Sequence, residues 1–176
     1  AFRGSHHQKL VVVDGNTAFV GGIDLTSGRW DTPEHRIDNP LRVRLDGEPY
    51  GPVHDVQAVV TGEAAQSIAD LVRQRWRYAT GEEIPGDNGS GKPLWPAGVE
   101  VAIQGCEVTI ARTIPGLKGL PPRRETWALS CQAIAAAQRH IYIETQYLAS
   151  FHIGREIEAR LRESAGPEVV VIVTCE

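Results

Sequence analysis

At 176 residues, 41% hydrophobic and 23% charged, the chain is long enough for one domain or two small lobes with a core that needs no disulfide staples. A formal net charge of −4 argues against a dedicated nucleic-acid binder, whose affinity rests on a cationic surface. No apolar run approaches the ~18 residues of a membrane span. Cys106, Cys131 and Cys175 form neither a C-x-x-C pair nor a zinc pattern, and read as small buried hydrophobes in a reducing compartment. No charged segment leading into an apolar one opens the chain, which says little of a leader because the sequence starts at Ala1. It contains no Met, which suits a piece of something longer.

The run Lys9 to Val13 is short, β-branched and apolar, and predicts a buried strand. Asp14-Gly15-Asn16 is hairpin chemistry, because Gly and Asn tolerate positive φ, and the return strand follows over Thr17 to Val20. Beyond Gly21-Gly22 a long irregular stretch carries Pro33 and Pro40. Leu41, Val43 and Leu45 then alternate with Arg42 and Arg44, the pattern of a half-buried strand, and Val56, Ala58 and Val60 alternate again. Ile68, Leu71, Val72 and Trp76 fall at helical spacing and predict a helix over Glu63 to Ala79, with Gly81 as its stop. In this helix, Arg73, Arg75 and Arg77 read as a solvated face. From residue 80 to 98 the composition turns to Gly and Pro, as in a linker between lobes. Two short strands are expected at Val99 to Ile103 and Val108 to Arg112. A helix over Glu125 to Gln138, a strand over Ile141 to Thr145, a helix over Ile153 to Ser164 and a strand over Val169 to Val173 complete the chain. That alternation predicts an α/β class with a parallel component.

The chemistry concentrates in His7, Lys9 and Asp14, spaced H-x-K-x4-D. Residues two apart on a strand share a face, so His7 and Lys9 project together while Asp14 sits at the turn. An imidazole is a nucleophile or base near neutral pH, and a lysine ammonium neutralises a phosphate oxygen. A carboxylate holds a neighbour in its working orientation. Together they suggest phosphoryl transfer without a metal. His6 is expected to point away from His7.

The stretch from Ser5 through Asp14 to Gly28-Arg29-Trp30-Asp31, with Val20-Gly21-Gly22-Ile23-Asp24-Leu25 inside it, resembles the first HKD block of the phospholipase D superfamily. It is most similar to the eukaryotic-type and bacterial phosphatidylcholine-cleaving members. Pro52-Val53-His54-Asp55, Gln74-Arg75-Trp76, Arg112-Thr113-Ile114-Pro115 and Ile141 to Tyr147 are similar to later blocks in the same order. The resemblance implies a phospholipase D-like α-β-α sandwich, of which this chain would hold part of the first lobe (1–79), a linker (80–98) and the start of the second lobe (99–176). It implies that His7 is the nucleophile, that Lys9 binds phosphate oxygens and that Asp14 supports the site. Gly21 and Gly22 become a small-residue floor and Asp24 a polar contact, while Asp31 and His35 are candidate substrate contacts in a loop. The implied reaction is hydrolysis or alcohol exchange at a phospholipid phosphodiester through a phosphohistidine, with no cofactor and no metal.

No second H-x-K-x4-D follows, since neither His140 nor His152 has a Lys two residues on. The chain therefore resembles the middle of a two-motif enzyme, and alone is expected to be inactive or weakly active. The expected partners are a phospholipid substrate, a peripheral membrane surface, and either a second copy of the chain or a half carrying the second motif. No nucleic acid is expected. A cytoplasmic or peripheral-membrane placement follows from the same reading. Alternatives are a cardiolipin synthase-like phosphatidyltransferase, a single-motif dimeric nuclease, and a non-catalytic lobe that binds lipid or a partner. The acidic charge and the Gly-Gly-Ile-Asp variant disfavour the nuclease.

Overall fold

The computed structural model describes residues 7–86, 91–116 and 120–174. The chain divides into two compact units, Ala1–Ile110 and Ala111–Glu176, each combining helix and sheet as the α/β class requires. His6 and Cys175 lie outside the described residues.

In the first unit, β1 (Lys9–Val13) and β2 (Thr17–Gly21) form the expected hairpin, and β3 (Gln57–Thr61) adds antiparallel to β2. Asp14 and Gly15 take φ of 49° and 66°, and Asn16 N–H donates to the Val13 carbonyl at 3.2 Å. Two successive left-handed residues make a turn whose twist matches the strands. Asn16 is not one of them. It is buried, and its amide donates to the Gly91 carbonyl at 2.7 Å, while Leu94 N–H donates to Thr17 Oγ1 at 3.0 Å. Residues 91 and 94, in the stretch expected to be a linker, are thereby pinned to the hairpin.

The register places Leu10, Val12, Ala18, Val20 and Val60 on one face of the sheet. There they pack with Ala65 and Ile68 of α1 (Glu63–Thr80). The helix stops where Gly81, at φ 79°, returns its N–H to the Arg77 carbonyl at 2.8 Å, a left-handed cap that glycine adopts without strain. Ile68 and Leu71 are buried as the spacing predicts, but Trp76 at the helix end is exposed. Arg75 is not simply solvated. Its guanidinium donates to Gln8 Oε1, tying α1 to the residue before β1.

Two expectations fail. The segments 99–103 and 108–112 are not strands, for no neighbouring strand supplies the ladder, and Val99, Val101, Ile103 and Val108 stay exposed. Cys106 is exposed and Cys131 half-buried rather than both being core residues, Cys106 because it sits on that unpaired segment.

In the second unit, β4 (Thr113–Ile114) pairs with β5 (Arg123–Arg124), which runs directly into α2 (Glu125–Ala136). β6 (His140–Glu144), α3 (Phe151–Leu161) and β7 (Glu168–Ile172) then form a β-α-β unit with parallel strands in register from His140–Glu168 to Glu144–Ile172. Ile134, Ile141 and Ile157 make its buried core. Ser150 caps α3, its hydroxyl accepting from Ile153 N–H at 3.4 Å. No helix among the described residues is long and apolar enough to cross a membrane.

The start of α2 is fastened by one ion pair. Arg112 grips Glu125 with Nε and Nη2, both at 2.8 Å, and Glu125 N–H donates to the Arg112 carbonyl at 2.9 Å. Those guanidinium hydrogen bonds draw the Glu125 carboxyl down to about 2. A depressed carboxyl lends stability above its unfolded value, and that stability is lost as pH falls through the folded value. The unfolding midpoint of this unit is therefore expected to drop between pH ~4.3 and ~2, and Glu125→Gln to flatten that dependence. An equally steep acid limb in the variant would remove the pair from that role.

Candidate active site

Alternation along β1 sends Leu10 and Val12 to the α1 face, so Lys9 and Val11 point from the opposite, helix-free face. There Lys9 stands beside Gly21, its cross-strand partner. A depression of about 230 Å³ opens at this place, its lining including Gln8, Lys9, Leu10, Val11, Ile23 and Gln57. The Lys9 side chain is 10% exposed. Its Nζ lies 3.0 Å from Asp24 Oδ1 and donates to the His7 carbonyl at 3.2 Å. Arg29 Nη2 reaches Asp24 Oδ2 at 3.6 Å, so two cations flank one carboxylate. The Lys9 hydrogen bond, with help from Arg29, holds the Asp24 carboxyl below its ordinary value.

His7 precedes β1 and is exposed, and its ring makes no hydrogen bond or ion pair among the described residues. Gly21 and Gly22 lie against the chain as it returns from the long loop. Gly22 N–H donates to the Val56 carbonyl at 3.2 Å. A Cβ on Gly21 would stand 2.5 Å from the Val56 carbonyl oxygen, and one on Gly22 would enter the Asp55 carboxylate. At Gly21 the space is taken by the backbone of Val56 and Gln57, and at Gly22 by the Asp55 side chain.

The structure brings His7, Lys9, Gly21, Gly22 and Asp24 to one end of the sheet. It does not bring Asp14 there. Asp14 is an exposed turn residue at the far end of β1, roughly 16 Å along the strand from Lys9. What Asp14 contributes to the turn is its left-handed backbone, at φ 49°.

Asp31 and His35 belong to a separate knot in the loop between β2 and β3. The Asp31 side chain is 4% exposed. Both of its oxygens accept from Arg42 Nη1 at 3.1 Å, Oδ1 also from Thr32 N–H and Oδ2 from Val53 N–H, each at 2.8 Å. His35 Nδ1 sits 3.0 Å from Oδ2, and the His35 ring meets His54 edge-on at 5.5 Å. Burial alone would raise the Asp31 carboxyl, but these hydrogen bonds and the Arg42 charge outweigh it and hold it far below its usual range. Asp31 thus has its acceptors engaged within the protein, while His35 is partly exposed above it. The knot reaches the site by fixing the loop whose two ends carry Asp24 and Asp55.

Sequence reasoning missed Arg29 and Arg42. Arg42 is 1% exposed and also donates to the carbonyls of Arg36 and Ile37. The alternation of Leu41 to Leu45 pointed the other way, apolar side in. Instead Leu41, Val43 and Leu45 are exposed, because only the isolated bridge Val43–Pro49 forms and nothing covers that face. The nearest signal was an acidic residue and an arginine within one short Pro-bounded loop, which is weak.

A family model described as phospholipase D matches residues 1–89. The chain is 42% identical over 96 residues to phospholipase D delta of Arabidopsis thaliana, an alignment covering 43% of this chain and 11% of that protein. It is 28% identical over 210 residues to phospholipase D A of Dictyostelium discoideum, covering 98% of this chain and 16% of that protein. With phospholipase D alpha 1 of Carica papaya the identity is 33% over 106 residues, covering 46% and 13%. The chain thus spans between about a tenth and a sixth of these relatives' length. With the match running through the hairpin, the glycine floor and α1, the chain belongs to the phospholipase D family.

Proposed function

We propose that this chain supplies half of the active site of a phospholipase D-type phosphodiesterase acting on phospholipids such as phosphatidylcholine. The observation that supports the reading is the Lys9–Asp24 pair beside Gly21 and Gly22, with the His7 backbone carbonyl bound to Lys9 Nζ. In the resting site Asp24 neutralises Lys9. An incoming phosphodiester offers the ammonium a second anion, and Arg29 remains to balance Asp24.

The His7 imidazole attacks phosphorus, forming an N–P bond as the bond to the headgroup oxygen breaks. The headgroup leaves as an alcohol after taking a proton from a second histidine. Water, or a primary alcohol, deprotonated by that same group then displaces the phosphatidyl group from His7. The products are phosphatidic acid or a new phosphatidyl ester. The second histidine comes from another copy of the chain or from a half that carries the second motif. Gly21 and Gly22 let the returning 55–57 segment lie close against the sheet beside Lys9.

The test is phosphatidylcholine supplied with butanol. Phosphatidylbutanol, with an acid-labile phosphatidyl group trapped on the protein, is the expected result. Absence of both from the chain alone and from the chain combined with a second-motif half would overturn the reading in favour of a binding lobe.

A further inference from the structure

Resting on that phospholipid-directed reading, we propose that the end of the second unit where α2 and α3 begin is a docking surface for an anionic phospholipid bilayer. Trp127, in the first turn of α2, is exposed, and its ring lies 5.6 Å from that of His152 at the start of α3. The His152 ring is 6.1 Å from that of Phe151, which is 73% exposed, and the Arg155 guanidinium stands 5.9 Å from the Phe151 centroid. Tyr147 and Leu148, on the loop leading into α3, are exposed as well. Arg123 and Arg124, immediately before α2, are exposed.

The charge at this end opposes that of the chain. Against a net charge of −4, Arg155 stands over the aromatic cluster, Arg123 and Arg124 lead into the helix that carries Trp127, and the first turn of α3 holds no acidic residue. The one carboxylate of the α2 first turn, Glu125, is taken by Arg112. Neither Arg124 nor Arg155 is ion-paired among the described residues. Trp and Tyr, with an apolar body and a polar edge, settle at the depth of lipid headgroups, and guanidinium groups pair with phosphate there. Exposed apolar rings with Arg155 over them, and Arg123 and Arg124 leading into α2, fit a polyanionic layer with an oily interior.

Co-sedimentation of the full chain with two vesicles tests this, one of phosphatidylcholine and one of phosphatidylcholine mixed equally with phosphatidic acid. Binding is expected to the mixed vesicles and to weaken with salt. The triple change Arg123→Gln, Arg124→Gln, Arg155→Gln should weaken it about a hundredfold, and Phe151→Ser on the order of tenfold. Circular dichroism verifies that each variant keeps its helices. No binding by the parent chain, or binding unchanged in both variants, overturns the proposal. Self-association of the chain that Phe151→Ser abolishes would assign the surface to a protein partner and overturn it too. Turnover of a water-soluble short-chain phosphatidylcholine, by the chain alone and by the chain combined with a second-motif half, separates the two readings: turnover without vesicle binding sinks the surface alone, and vesicle binding without turnover in either setting sinks the reaction alone.

Discussion

His7→Ala is expected to remove phosphatidylbutanol formation from any assembly in which the parent chain is active, a fall of at least about 10⁴-fold. Lys9 itself is committed to Asp24 and to the His7 carbonyl. Lys9→Ala should leave the nucleophile in place but lose a phosphate clamp, lowering kcat/KM by about 10²–10³-fold. Lys9→Arg keeps the charge but spreads it over a planar fork, and should recover only part of the loss. The trapped phosphatidyl-protein must disappear in His7→Ala and persist at lower yield in Lys9→Ala. Equal product from His7→Ala and the parent chain would end the assignment of His7 as the nucleophile.

The second large effect concerns stability. Arg42→Ala leaves a buried Asp31 carboxylate facing an empty guanidinium site, together with the Arg36 and Ile37 carbonyls that lose their donor. Removing one partner of a buried pair costs far more than the pair contributes, because the remaining charge is stranded. A fall in the unfolding midpoint on the order of 10 °C is expected by calorimetry. Arg42→Lys should recover less than half of it, since a point charge cannot serve both Asp31 and the two carbonyls. Activity should fall further than stability alone explains, as the loop that carries Asp24 and Asp55 loosens. An unchanged midpoint in Arg42→Ala would show that the loop stands without the knot.

Much of the local structure was legible because it rests on near-neighbour physics. The hairpin was announced by an apolar run and a turn dipeptide, α1 by the spacing of Ile68 and Leu71 and by Gly81, and the β6-α3-β7 unit by strand, helix, strand. Each signal is a few residues long, and each element satisfies its own backbone. Sequence reading failed where an element needs a partner. Residues 99–103 have the composition of a strand but no neighbour to pair with. Residues 41–45 have two-sided alternation, which states that two faces differ and not which one is covered.

For the site, the sequence by itself set His7 two residues before Lys9 at the start of the hairpin, and it put Gly21 and Gly22 at the end of the return strand. Only the tertiary structure decided which counter-ions meet them. Asp24 lies fifteen residues beyond Lys9 and Arg42 eleven beyond Asp31, and a contact across such a loop depends on how the loop closes. Spacing carries no record of loop closure, because many conformations of an irregular segment join the same two strands. The hydrogen bonds of the Asp31–Arg42 knot select one of them, and with it the position of the Lys9–Asp24 pair beside His7.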